Sequence, residues 1–390
     1  MNQNLIPLAD LERVQKPGPV GSGLPNAAYS SSELFEFERD HVLGVTWAGL
    51  AFYSDVPVNG SLSPIDFMGL PLLVTRNLQG EVNVFHNVCS HRGMPLVAEA
   101  QTIDGLISCR YHCWSYDLNG QLKGAPHVGG VGKHTHQEFD RSLHGLKIVR
   151  SHVWMGLVYI NLSGDADGFD TFIAPLLARW EAFTGVGQLE QVTLAATGSQ
   201  IKMEVAANWK LPVENYCESY HLPWVHPGLN SYSPLDQHYN IIAADGMSGQ
   251  GSLNYNLAGV AGTKLPQFHQ WPSDKISHSE YLSLYPNVLL GVQADHVFTV
   301  LLQPLANDRT LERIEIYYVG EEALTDKYQE CRESVLRSWN EVFSEDIFAV
   351  EGMQEGRRSP AFTGGVFTPV LDQPTRHFHS WVANLYSAAS

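Results

Sequence analysis

Two short loops, Cys89-Ser-His91-Arg-Gly and Cys109-Arg-Tyr-His112-Cys-Trp, carry residues of the type and spacing that hold metal. Each opens on a cysteine and closes on a histidine. Seventeen residues separate His91 from Cys109, enough for a short strand pair to bring both loops to one point. Two thiolates facing two imidazoles suit tetrahedral zinc, or a two-iron, two-sulfide cluster with cysteines on one iron and histidines on the other. Zinc sites commonly place the cysteines in one knuckle and the histidines in another. Here each loop supplies one of each, an order that favours the cluster without deciding the matter.

A second constellation lies in Asn208-Trp-Lys-Leu-Pro-Val-Glu-Asn215-Tyr-Cys-Glu218-Ser-Tyr-His221-Leu-Pro-Trp-Val-His226-Pro227. On a regular helix residues five apart stand roughly 140° around the axis, too far to meet one ion. Pro223 and Pro227 remove backbone donors, so the helix can deform or end here and let His221 and His226 converge. Glu218, three residues before His221, shares its helical face, and Asn215 lies one turn earlier.

The elements that must position these residues differ between the two halves. Residues 1 to 40 form a proline- and glycine-bearing leader followed by a helical run from about Ser31 to Val42. Strand-forming segments then dominate: Leu70 to Thr75, a turn at Asn77-Leu-Gln-Gly80, and Val82 to Phe85 lead into the first loop, and Asp117-Leu-Asn-Gly120 turns after the second. This all-β module spans 41–163, closing near Val158-Tyr-Ile-Asn161, and the polar, glycine-rich Gly164-Asp-Ala-Asp-Gly168 is the expected boundary before a second domain over 169–390. There Val192 to Val205 reads as one strand and Ala207 to about Val225 as one helix. Leu282 to Val292, His296 to Gln303 and Leu311 to Val319 follow as β-rich segments. From Glu321 to Gly356, apolar residues at spacings of three and four predict a long amphipathic helix facing that sheet.

A chain of 390 residues with 44% hydrophobic and 17% charged residues has room for two cores and no apolar run long enough for a bilayer. A net charge of -17 argues against nucleic acid, whose phosphates would be repelled. The first residues lack a basic region followed by an apolar one, so no secretory signal is expected. Five cysteines, two committed to metal, suit a reducing cytoplasm.

Phe85-His-Asn-Val-Cys-Ser-His-Arg-Gly93 and Cys109-Arg-Tyr-His-Cys-Trp-Ser-Tyr-Asp-Leu-Asn-Gly120 resemble the two cluster loops of the Rieske non-haem iron oxygenases, except that Cys113 stands where that family commonly has glycine. The histidine segment resembles the same family's mononuclear-iron motif, and the likeness runs from about Leu24 to the terminal Trp381–Tyr386 segment. It implies an α+β chain: a Rieske β-sandwich holding a 2Fe-2S cluster on Cys89, His91, Cys109 and His112, then a catalytic domain of curved antiparallel sheet packed on helices in a helix-grip, START-like arrangement. Iron(II) that must bind dioxygen needs two histidines and a carboxylate with open positions. In the resembled family the carboxylate comes from a late helix, which points to Asp346 in Phe343-Ser-Glu-Asp346-Ile, with Glu345 as its neighbouring alternative. Asn215 matches the family's active-site asparagine. Glu218 occupies the place of a carboxylate, usually aspartate, that joins an iron-ligating histidine to a cluster histidine of a neighbouring subunit, which implies a homotrimer.

The implied activity is that of a terminal oxygenase, which uses dioxygen and electrons from a separate flavin and iron–sulfur reductase, with or without a ferredoxin between them. No Gly-x-Gly-x-x-Gly follows a strand, so that reductase should be another protein. The glutamate at 218, Ala28-Tyr-Ser-Ser and Tyr285-Pro-Asn-Val-Leu resemble the branch acting on choline, glycine betaine, carnitine and stachydrine. Tyr216, Tyr220, Trp224 and Trp271 could offer aromatic faces to such a cation, or could be core. The runner-up substrate is an aromatic ring or aromatic acid. A Rieske electron carrier would need only the first constellation and leaves 169–390 unexplained.

Overall fold

The computed structural model describes residues 5–256, 259–260 and 262–389. The chain divides into two compact units, with boundaries between Leu43 and Gly44 and between Ala166 and Asp167.

In the Gly44–Ala166 unit, β1 (Ala48–Phe52), β2 (Ser61–Phe67), β3 (Leu70–Arg76), β4 (Val82–His86), β5 (Gln101–Thr102), β9 (Ile148–Trp154) and β10 (Leu157–Asn161) form one antiparallel sheet, in the order β1-β10-β9-β4-β3-β2-β5. A smaller sheet holds β6 (Ile107–Ser108), β7 (Ser115–Tyr116) and β8 (Leu122–Gly124). The core lies between them, where Leu62, Leu73 and Phe85 meet Ile107, Tyr116 and Leu122. The expected turns form for the expected reasons. Asn77 Oδ1 accepts from the backbone N–H of Gln79 and Glu81, and Asp117 Oδ1 does the same for Asn119 and Gln121. Gly120 is required twice: its φ is +79°, and a Cβ there would stand 2.6 Å from the Phe85 ring.

The other unit is built on a curved sheet of eight antiparallel strands: β11 (Val192–Leu194), β12 (Gln200–Val205), β13 (His238–Ala244), β14 (Met247–Ser252), β15 (Ser279–Leu284), β16 (Val288–Val292), β17 (His296–Ala306) and β18 (Arg309–Val319). The path runs β11-β18-β17-β16-β15-β14-β13, with β12 also on β18. Bulges at Ile242/Ala244 and Pro304/Ala306 contribute bends. Its helices include α1 (Leu8–Gln15), α2 (Ser32–Glu38, preceded by a single turn over Ala27–Ser30 and continued by a wider turn to Leu43), α3 (Phe169–Thr184), α4 (Lys210–Cys217), α5 (Leu222–Val225), α6 (Pro227–Asn230), α7 (Gln329–Gly356) and α8 (Gln373–Ala388). The apolar stripe of α7 lies on the sheet: Trp339 and Phe343 pack against Phe298 of β17, and Trp339 against Tyr281 of β15. An α+β chain with a β-sandwich and a curved antiparallel sheet gripping a long helix matches the fold expected from sequence.

Several element boundaries depart from expectation. The strand expected over Val192–Val205 is two, because Ala195–Ser199 bends away and each piece pairs a different stretch of β18. Leu282–Val292 is a hairpin turning at Tyr285–Asn287. The long helix begins at Gln329 after two short 3₁₀ turns, and α1 lies inside the segment expected to be a leader, burying Leu11 and Val14.

The helix expected over Ala207–Val225 breaks at Glu218, whose backbone is extended (φ -125°, ψ 160°). The Glu218 carboxylate then accepts from the N–H groups of Tyr220 and His221, and Pro223 and Pro227 fall in the first turns of α5 and α6. Proline starts new helices here, where its missing donor costs nothing.

Helix α4 is anchored by buried charge. Glu38 pairs with Lys210 at 2.5 Å, both fully buried, and accepts from Trp209 Nε1 and the Tyr386 hydroxyl. One turn on, Glu214 accepts from the Tyr29 hydroxyl and faces Arg357 and His379. Removing one partner from such a set strands a buried charge, so α4 and the Asn215 it carries are firmly seated.

Candidate metal centres

The two loops of the smaller unit have matching backbone geometry. Cys89 N–H donates to Met94 O and Cys109 N–H to Trp114 O, five residues on in each case; Gly93 N–H donates back to Cys89 O and Cys113 N–H back to Cys109 O. Gly93 and Cys113 are therefore equivalent positions, and both are left-handed, with φ of +73° and +56°. A residue with a Cβ costs roughly 1 kcal/mol there, which explains why glycine is the expected residue at 113.

Cys89 and Cys109 are buried while His91 and His112 are exposed. The imidazole rings lie 4.6 Å apart, and His91 stacks on Trp114 at 4.7 Å. The Tyr116 hydroxyl lies 3.3 Å from Cys89 Sγ and accepts from Ser90 N–H. Burial, then the Cys89 contact, pushes that phenol up to about 12, so it stays a donor towards the sulfur. Slight desolvation by its neighbours, then the nearby His112 and Arg92, hold His91 below the ordinary imidazole value and favour its neutral, ligating form. Buried sulfurs with a hydroxyl donor and outward neutral imidazoles fit a cluster whose histidine iron faces the surface.

In the other unit the break at Glu218 brings the two histidines together. Ligand atoms of His221, His226 and Asp346 all lie within 4.8 Å of one another. Asp346 Oδ1 is 3.0 Å from His226 Nε2 and 3.7 Å from His221 Nε2, and accepts from Asn215 Nδ2 at 3.1 Å. The far nitrogens are held in turn: His221 Nδ1 lies 2.7 Å from Glu218 Oε1, and His226 Nδ1 2.8 Å from Glu345 Oε2. Each Nδ1–H faces a carboxylate, which fixes the tautomer and turns both Nε2 atoms inward. Burial disfavours charge on His221, but Glu218 and then Asp346 outweigh it and raise its pKa; Asp346 and Glu345 do the same for His226. Two imidazoles and one carboxylate with open positions beside them is the donor set of a non-haem ferrous site.

The expected ligand set thus comes together, with two corrections of detail. The Glu218–His221 contact arises across the helix break rather than along one helical face. Glu345 has a place of its own: successive helix positions stand about 100° apart, so Asp346 faces the Nε2 atoms while Glu345 reaches the outer nitrogen of His226.

A cavity of about 440 Å³ opens over the triad, walled by Tyr216, Tyr281, Trp339 and Phe343. Trp339 is fixed by donating its indole N–H to His296 Nε2 at 2.8 Å, and His296 Nδ1 lies 2.6 Å from Asp295. Of the four aromatics singled out from sequence, Tyr216 alone lines this cavity. Tyr220 and Trp224 are 40% and 70% exposed and touch each other, and Trp271 is core against Phe183 and Phe268. The 339, 343, 346 spacing on one helix face was the available signal for Trp339 and Phe343, whereas Tyr281 had none.

The Rieske [2Fe-2S] domain family model matches residues 46–135, and the ring hydroxylating alpha subunit (catalytic domain) model matches 193–388. The carnitine monooxygenase oxygenase subunit of Escherichia coli (strain K12) is 26% identical over 373 residues, 93% of each chain. The chloroplastic choline monooxygenase of Arabidopsis thaliana is 27% identical over 388 residues, 96% of this chain and 83% of that one. In fold, the chain is similar to the quaternary ammonium Rieske monooxygenase CntA in complex with L-carnitine (TM-score 0.75, 22% identity, 98% of this chain and 99% of that one), an enzyme also described for inter-subunit electron transfer.

Proposed function

Because this chain belongs to the ring-hydroxylating α-subunit family, oxidoreductases that join a Rieske 2Fe-2S domain to a mononuclear non-haem iron domain, we infer that it is the terminal oxygenase of a multicomponent system that hydroxylates or oxidatively demethylates a small quaternary ammonium compound. One observation carries the substrate class. The His221–His226–Asp346 triad opens on a cavity walled by four aromatic rings, in a chain similar over nearly its whole length to oxygenases of carnitine and choline. Aromatic faces attract a cation that has no N–H to donate.

Cys89, His91, Cys109 and His112 would hold the cluster, and His221, His226 and Asp346 would hold the catalytic iron. When bound, these groups pass electrons singly and activate dioxygen, so that R–CH₃, O₂, two electrons and two protons become R–CH₂OH and water. The chain's own side chains supply the geometry. Glu218 and Glu345 hold the Nδ1–H atoms, Asn215 restrains the Asp346 carboxylate, and the aromatic walls exclude water and orient the ligand. Electrons come from a separate flavin and iron–sulfur reductase.

Glu218 lies at a partly open edge beside exposed Tyr220 and Trp224, which suits a carboxylate that meets a neighbouring chain's cluster histidine in a homotrimer. The test is substrate-dependent oxygen uptake with a matched reductase across choline, glycine betaine, carnitine and aromatic acids. Coupled uptake with at least one ammonium compound is expected. Coupling to aromatic acids alone would move the assignment to aromatic hydroxylation.

A further inference from the structure

The metal-site network leaves one buried carboxylate unused. Glu312 sits on β18, paired with Met203 of β12 and Leu302 of β17, and is 7% exposed. It faces a cavity of about 320 Å³ whose wall is apolar at Val205, Leu289, Ile347 and Val350. That cavity shares Asn215, Tyr216, Phe343 and Asp346 with the one over the histidine pair. Among the described residues the Glu312 side chain makes no hydrogen bond and no ion pair. Burial, and then the Asp346 charge, push its pKa up to about 8, so a cation beside Glu312 is what would hold it in the carboxylate form.

Other buried glutamates here are matched: Glu38 by Lys210, Glu214 by Arg357 and His379, Glu280 by Arg179 at 2.7 Å, and Glu315 by hydrogen bonds from Gln200 Nε2 and the Tyr317 hydroxyl. An unmatched one destabilises the fold, where leucine in the same apolar wall would not. The missing partner is therefore something that enters the cavity. A primary ammonium or a metal ion would need several oxygens at fixed angles, and the wall offers few. A quaternary nitrogen needs none, because it carries no N–H and is held by a nearby negative charge and by aromatic faces, here those of Tyr216 and Phe343.

We propose that Glu312 is the counter-ion of the substrate's quaternary nitrogen and sets the preference for cationic over neutral ligands. This rests on the quaternary ammonium reading above. The test is equilibrium binding to the holoprotein under argon of choline, glycine betaine and carnitine, each beside its neutral isostere with tert-butyl in place of trimethylammonium. Wild type should bind at least one cation more tightly than its isostere. Glu312→Gln and Glu312→Leu should keep the cluster spectrum and iron content yet lose cation affinity on the order of tenfold or more, with isostere affinity unchanged. Two variants guard against a single misfolded one. An undiminished cation preference in either folded variant, equal losses for cation and isostere, or a fall in turnover with binding untouched would each overturn the role of Glu312 and leave the substrate class standing. Failure of wild type to bind any of the three ammonium compounds would overturn both.

Discussion

The cluster loops and the iron site solve the same problem, holding two histidines and two or fewer further ligands, by opposite means. In the loops the backbone does the work: each presents a cysteine and a histidine from one turn closed by the same pair of hydrogen bonds, and all four ligands fall between residues 89 and 112. At the iron site the ligands come from two elements 120 residues apart, and side chains hold side chains: Glu218 on His221, Glu345 on His226, Asn215 on Asp346. Turn geometry makes a site robust to distant change, whereas a site built from carboxylate–imidazole pairs inherits their titration and every displacement of the helices that carry them.

The largest effect expected is from Asp346→Ala. Iron content and oxygenation should fall by more than about a hundredfold while the cluster spectrum is untouched, since the two sites belong to separate units. Iron analysis beside visible and electron spin resonance spectra decides it; full turnover would shift the ligand to Glu345. Glu345→Gln should cost iron affinity about ten- to a hundredfold by releasing the outer nitrogen of His226, again sparing the cluster.

The same pairs predict opposite pH trends. Both imidazoles are raised above the ordinary value of about 6.5, so their charged pairing stabilises iron-free protein fully below that value and is lost as pH rises through the folded values. Iron needs both Nε2 atoms free of protons, so its affinity should rise over that interval. Thermal melts of the iron-free protein and chelator-competition titrations at stepped pH test this. A flat response in both would remove the pairing from the account.

Glu218→Gln should keep both metals and the oligomer but slow reoxidation of the reduced cluster by oxygen and substrate, by about tenfold, because an amide holds His221 less strongly than a carboxylate. A stopped-flow trace at the parent rate, or a fully active monomer in sedimentation, would leave Glu218 as an orienting residue only. The smallest effect concerns the loops themselves. Cys113→Gly should raise stability by about 1 kcal/mol and the equivalent Gly93→Ala should lower it by a similar amount, with potential and turnover unchanged. Differential scanning calorimetry would show whether the backbone is as dominant there as the matched turns indicate.

Much of this was legible in the residues. The cluster loops could be read because a turn is local: Cys89, His91, Cys109 and His112 lie within a few bonds of the backbone atoms that orient them. Asp346 came from the resemblance to the family's late helix and not from its spacing, since an acidic residue on an amphipathic helix ordinarily belongs to a solvated face. Periodicity also foretold the long helix and the sheet it faces.

Tertiary structure alone decided the rest. That the helix after Cys217 breaks depends on the Glu218 carboxylate finding the N–H groups of Tyr220 and His221, a contact no helical wheel displays. That Glu345 holds His226, Tyr281 walls the cavity and Glu312 is left unmatched depends on which strands lie beneath which helices. A buried side chain takes its meaning from partners distant in sequence, and local spacing does not encode them.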